Sequence, residues 1–219
     1  MQSIAIFPCS YTHGASVIGE LSNCLRLKVY IDEFLFADVS KHFGIPVEKL
    51  KQVICGRTPK LHSHHLQKSK YINFLRCALE ALSLHSPGRR LHYGLHTSLL
   101  ELKRDKIFKV LVFDEEESRI QRAMRQEGLT KKVARQHIHR HDAKVSGWTR
   151  FLFGKEAYQP SLYQARIPLN NRSSLEITAE IAALFKDAQG RRIPLAGGAA
   201  TRSVPGYNLC LGNQAGCTA

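Results

Sequence analysis

Paired cysteines, long apolar runs and acidic residues are what this 219-residue chain lacks. It carries six cysteines but no C-x-x-C pair; Cys9, Cys24, Cys55 and Cys77 stand far apart, and Cys210 and Cys217 lie near the end. No zinc ribbon or disulfide framework is visible, so most are expected to be reduced, small buried residues. No apolar run approaches the roughly 18 to 20 residues that a membrane span needs. The opening, Met1–Pro8, has no basic region ahead of its short apolar stretch, and reads as a first strand instead of a signal peptide. The expectation is a soluble, cytoplasmic chain without a membrane partner. Asp and Glu total 18 against 32 Lys and Arg, leaving a net charge of +14 with 11 His uncounted. The hydrophobic share of 43% argues against disorder throughout.

What is present alternates between two periods. Ile4–Phe7 is a short apolar run, followed by the small, polar stretch Cys9–Ser16 with Gly14 inside it. Val17, Ile18, Leu21 and Leu25 then recur at helical spacing, so the chain opens as strand, turn, helix. Leu27–Ile31 reads as a second strand and Asp32–His42 as a helix stopped by Gly44 and Pro46. Val47–Cys55 is a short helix, and Thr58–Lys70, polar and rich in histidine, an exposed loop. Tyr71–Leu84 is helical and Arg90–Tyr93 a strand, followed by Gly94 and a helical turn through Leu100. Ile107–Phe113, β-branched and aromatic, is a strand. Ser118–Gln126 is helical, another helix begins at Leu129-Thr130, Ser161–Leu169 contains a last strand, and Leu175–Ala188 is a helix. This alternation predicts an α/β chain with a parallel sheet covered by helices. Residues 1–189 form one domain on this reading. Residues 190–219, rich in Gly and Ala, form a loose, flexible tail.

On such an architecture a nucleotide site sits after the first strand, where successive backbone N–H groups and a helix N-terminus surround phosphate oxygens. The usual pattern is G-x-x-x-x-G-K-S/T. Here the window runs Cys9-Ser10-Tyr11-Thr12-His13-Gly14-Ala15-Ser16. Gly14 and Ser16 match, whereas Cys9 replaces the first glycine and Ala15 the lysine. A plain β–α turn with one glycine fits the window equally well.

Further along, several stretches carry a family's order and spacing. They are Tyr11–Ile18, Tyr30-Ile31-Asp32, His92–Leu100, Val110–Ile120, Glu127–Thr130, Asp142–Gly154 with its Trp148, and Pro160–Tyr163. Together they resemble the cytidylate kinase-like family of P-loop nucleoside monophosphate kinases, over about residues 3 to 186. The resemblance implies a three-layer α/β/α fold with a parallel sheet. It also implies transfer of a phosphoryl group from ATP, with Mg²⁺, to a pyrimidine nucleoside monophosphate. On that basis Thr12, His13, Gly14, Ala15 and Ser16 would contact phosphate, Ser16 would help hold the metal, and Asp32 would face the acceptor nucleotide. Arg119, Lys144 and Arg150 would neutralise charge in the transfer. On local grounds alone, Asp32 reads equally as a helix N-cap.

The departures from the family are numerous. The lid arginine pair falls on Val145-Ser146, two aspartates fall on Gln159 and Gln164, and two loop glycines fall on Thr12 and Ala15. The loop arginine falls on Ser16. Each loss removes a charge or the freedom of the backbone to approach phosphate. The expectation is therefore a nucleotide-binding protein with a degraded phosphoryl-transfer site. The alternatives are an active kinase, or a basic regulatory or nucleic-acid-binding module without catalysis. Between Arg119 and Arg150 lie nine Lys and Arg against two acids, half of the net charge of +14. That run is either a solvated helix face or a phosphate-facing lid. Two histidine groups remain, His62, His64 and His65 in the predicted loop, and His137, His139 and His141. His137 and His141 share a helical face but lack the glutamate of H-E-x-x-H, so added positive charge at low pH is the expectation over metal binding.

Overall fold

A computed structural model describes residues 3–7, 9–55, 62–85, 88–101 and 106–190. Five strands form one sheet: β1 (Ser3–Phe7), β2 (Lys28–Ile31), β3 (Arg90–Tyr93), β4 (Ile107–Phe113) and β5 (Ala165–Pro168). Their order across the sheet is β2-β3-β1-β4-β5, and every neighbouring pair is parallel. Helices supply the crossovers: α1 (Gly14–Leu25), α2 (Asp32–Phe43), α3 (Val47–Cys55), α4 (His62–His85), α5 (Glu116–Glu127), α6 (Lys131–Phe153) and α7 (Ser174–Gly190). Parallel strands need such long connections, and a sheet covered on both faces can be apolar on both.

The pleat divides the core in two. Ile4 and Ile6 of β1 face α1 and α7, where Leu21, Ile177, Ile181 and Phe185 are buried. Ala5 and Phe7 face the opposite way, toward Leu35, Leu50, Leu75 and Trp148 from α2, α3, α4 and α6. Helix, sheet, helix is thus the layer order expected from the alternation of strands and helices. β1 is the switch point of the sheet, since the chain leaves it toward β2 on one side and reaches β4 on the other. The carboxyl ends of the strands around such a point are where α/β sheets hold ligands.

One segment departs from expectation. The sequence predicts an exposed loop over Thr58–Lys70, but α4 already begins at His62; residues 56–61 lie outside those described. The reason is a face that polar residues disguise. Lys68 is buried, its ammonium 5.5 Å from the centre of the Trp148 ring and 4.7 Å from that of Phe151. Its stem therefore continues the stripe of Ile72, Leu75 and Leu79 by one turn. Elsewhere the ends shift by a residue or two: α5 starts at Glu116, and α6 follows Thr130, whose hydroxyl accepts from the Val133 N–H at 3.4 Å. α7 runs to Gly190, and residues 191–219, the expected tail, lie outside those described.

Trp148 is the sole tryptophan and sits fully inside the α6 side of the core, so its fluorescence reports unfolding. Phe185 is 1% exposed and packs against Phe108 with ring centres 5.9 Å apart. Phe185→Ala is expected to lower the unfolding free energy by about 3–5 kcal/mol. Leu184→Ala, one residue earlier and at 36% exposure, should cost far less, as read from denaturant titrations of the Trp148 signal.

Candidate functional site

The turn from β1 into α1 is built with little glycine. Tyr11 (φ 55°) and His13 (φ 56°) both lie in the left-handed region, at about 1–2 kcal/mol for each non-glycine residue. The shape is held locally by the Thr12 hydroxyl, which donates to the Cys9 carbonyl at 2.7 Å. It is held from outside by the Tyr11 hydroxyl, which donates to Glu127 at 2.9 Å. His13 occupies the N-cap of α1 without a side-chain cap, so the first N–H groups of the helix open onto a cleft of about 670 Å³. Thr12, His13, Gly14, Ala15 and Ser16 all line that cleft. Gly14 is required there, because a Cβ would collide with the Tyr93 hydroxyl and stand 3.0 Å from its Cζ.

Two arginines of α5 hold the turn from behind. Arg119 is fully buried; its Nε donates to the Ser10 carbonyl at 2.9 Å, and its Nη2 to the Ser10 hydroxyl and to Asp142 at 3.3 Å. Arg122 Nε donates to the Tyr11 carbonyl, and its Nη2 pairs with the Asp114 carboxylate at the end of β4. Asp114 also accepts from the backbone N–H groups of Glu115 (2.9 Å) and Asn170 (3.3 Å). The family resemblance implies that Arg119 neutralises charge during transfer; the structure places its Nε and Nη2 donors on the loop backbone, Ser10 and Asp142.

Asp32 opens α2 as its first residue. Its buried carboxylate accepts from the Leu95 N–H at 2.9 Å, the His96 N–H at 2.8 Å and His96 Nδ1 at 2.6 Å. It therefore clamps the 3-10 turn Leu95–Leu99 beyond β3 and makes no N-cap bond at the start of α2. Gly94 (φ 135°) fits only without a side chain, since a Cβ would meet Asp32 Oδ2 at 2.5 Å. His96 Nε2 lies 3.2 Å from His92 Nδ1, which extends the clamp into the sheet.

The other predicted bases lie elsewhere. Lys144 is half-buried on α6, and Arg150 is exposed and paired with Glu156 at 3.0 Å; neither lines the cleft. Much of the basic run closes the α5–α6 hairpin on itself: Lys131 pairs with Glu117, and Arg135 (3.2 Å) and His139 (3.2 Å) pair with Glu116. Among the described residues, no Lys or Arg lines the cleft itself. Its charged or titratable groups include His13, Glu33 and Glu127. Partial burial and the nearby Arg122 charge hold the His13 pKa below its ordinary value. Among the described residues no group of three or more His, Cys, Asp or Glu could hold a metal, His137 and His141 included. The side chains of His62, His64 and His65 lie outside the described residues.

Sequence reasoning passed over Tyr93, His96 and Asp114 as parts of this site, took Ser10 only as part of the loop window, and counted Arg122 only among the bases of the 119–150 run. Arg119 and Arg122 sit three apart, flanked by the buried Ile120 and Ala123, which is the signal of a helix face turned inward. Their partners on the loop lie 109 and 111 residues away, which no local pattern records.

A model of the cytidylate kinase-like family matches residues 3–170. A crystal structure of an uncharacterized protein from Eubacterium ventriosum has a similar fold, with a TM-score of 0.61 and 15% identity over 84% of this chain and 97% of that one. A shikimate kinase from Acinetobacter baumannii aligns with a TM-score of 0.49 and 11% identity over 86% and 95% of the two chains. A gluconokinase from Sinorhizobium meliloti aligns at 0.49 and 13%, over 88% and 98%. No curated protein sequence matches this chain.

Two histidines next to this framework set an acid limit on stability. Burial holds His92 well below its ordinary pKa, and burial with the nearby Lys144 charge brings His141 down to about 4. Both are neutral when folded, whereas an unfolded imidazole takes up a proton near its ordinary value of 6.5. The unfolding free energy should therefore be flat above about pH 7 and fall as pH drops from about 6.5 toward 4. Urea titrations across that range should show the decline, and His141→Gln should flatten it.

Proposed function

Because this chain belongs to the cytidylate kinase-like family, we propose that it binds a nucleotide at the β1–α1 turn and that its phosphoryl-transfer site is degraded. The observation that carries this reading is the cleft at the N-terminus of α1, which among the described residues is lined by backbone N–H groups and by no lysine or arginine. Phosphoryl transfer is catalysed by positioning and by positive charge around the moving group. The arginines nearest the turn are bonded to its backbone and to Asp142 and Asp114 instead.

The residues present fit a phosphate group. The first-turn N–H groups of α1 point outward, and the helix dipole favours an anion there. Ala15 is exposed where the motif has its lysine, so nothing in that position reaches toward a terminal phosphate. Ser16 and Glu33, both exposed on the cleft, are the residues that would hold Mg²⁺, which would offset part of the phosphate charge. Asp32 would shape the acceptor side from beneath, through the turn that it clamps. His13, held neutral near pH 7 by its lowered pKa, adds hydrogen bonding in place of fixed charge.

Calorimetry with Mg-ATP and with CMP, beside a coupled kinase assay, tests the reading. Binding with turnover no higher than background is expected. Ala15→Lys should tighten ATP binding roughly tenfold, because it restores one charge-assisted bond to phosphate. Turnover by the unaltered chain that disappears in Ser16→Ala would show an active kinase and overturn the degraded reading. No binding of either nucleotide, with steeply salt-dependent RNA binding, would favour the basic nucleic-acid module.

A further inference from the structure

Tyr93 is the last residue of β3, paired in register with Ile6 of β1 and Ile31 of β2. Its ring passes toward α1 and takes the space that a side chain at position 14 would need, with Cζ at 3.0 Å and Cε2 at 3.4 Å from the position of a Cβ there. The hydroxyl thus stands against the first residue of α1, in the wall of the phosphate cleft. It makes no hydrogen bond among the described residues, although Tyr11, Tyr30 and Tyr163 each donate theirs to a protein acceptor. Beside it the Val17 N–H is taken by the His13 carbonyl at 3.1 Å, which leaves the N–H groups of Gly14, Ala15 and Ser16 directed at the cleft.

We propose that Tyr93 is a phosphate-binding residue of this site, its hydroxyl donating to an oxygen of the phosphoryl group that the first turn of α1 receives. The inference rests on the nucleotide reading of the cleft. An isolated hydroxyl beside a row of outward N–H groups completes a neutral set of donors around one anionic group. Such a set suits a chain that has Ala15 where a lysine would reach in. Burial, with the negative charge of Asp32 next, raises the Tyr93 pKa, so the group remains an O–H donor across the physiological range. The strand register and Gly94 behind it fix where the oxygen stands, which gives the contact its directionality.

Tyr93→Phe removes one oxygen and keeps the ring that packs on Gly14. Calorimetry should show affinity for ATP and for inorganic pyrophosphate about tenfold weaker than in the unaltered chain, with affinity for adenosine unchanged and the thermal midpoint unmoved. Equal affinity of the two proteins for pyrophosphate overturns the proposal, as does an equal loss for adenosine, which would mark a structural role. If pyrophosphate binding depends on Tyr93 but neither CMP nor ATP binds more tightly than pyrophosphate, the proposal stands and the nucleotide reading falls. If the unaltered chain binds neither pyrophosphate nor nucleotide, both fall.

Discussion

Two buried guanidinium groups hold the β1–α1 turn, and the rest of the site depends on them. The turn places Tyr11 and His13 in a left-handed conformation that glycine would adopt at little cost. Something must offset that strain, and the hydrogen bonds from Arg119 to Ser10 and from Arg122 to the Tyr11 carbonyl do so. A buried guanidinium is itself expensive unless it is paired. Asp142 on α6 and Asp114 at the end of β4 supply the counter-charges. One network therefore joins the phosphate-side turn, the strand next to it and both helices of the α5–α6 hairpin.

The same network explains why, in a chain of net charge +14, no lysine or arginine among the described residues lines the cleft. Helix α5 does bring arginines to the turn, but from the side away from the ligand, with their donors on backbone and carboxylates. The acids at the start of α5 draw Lys131, Arg135 and His139 onto the hairpin surface. Exposed pairs of this kind contribute little to stability. They do direct basic side chains toward each other across the hairpin. Among the described residues, the cleft is left with backbone dipoles, hydroxyl groups, the carboxyl groups of Glu33 and Glu127, and a histidine whose pKa burial lowers.

The sheet and most helices were legible because they depend on local period. Ile4–Phe7 and Ile107–Phe113 announce themselves by composition, and Leu175–Ala188 by one apolar face. The start of α4 was not, because Lys68 reads as polar while its stem packs on Trp148 and Phe151. In the site, the window Cys9–Ser16 could be found from its spacing and its single glycine. What each side chain does there could not. Arg119 reads as a lid base in the sequence, and only its distance to Ser10 shows where its donors go. Asp32 reads as a cap or an acceptor contact, and only the fold brings it to Leu95 and His96, 63 and 64 residues on.

Asp32 then does for one wall of the cleft what the arginines do for the other. Its carboxylate accepts from His96 Nδ1, and His96 Nε2 lies within hydrogen-bond distance of His92 Nδ1. Asp32, His96 and His92 thereby form one hydrogen-bonded series anchored at the carboxylate. Tyr30 packs edge-on against both rings, 5.6 Å and 5.7 Å between centres, which leaves them little room to turn. Between this hydrogen-bonded series and β1 lies Gly94, whose backbone can pass the carboxylate only because it has no Cβ. The residue before it is Tyr93. The position of the Tyr93 hydroxyl is thus fixed by a buried carboxylate that bonds the backbone two and three residues on, just as the position of the opposing N–H groups is fixed by buried guanidiniums behind the turn. Both walls are preformed by charges aimed at backbone, so a ligand entering between them meets donors that are already in place.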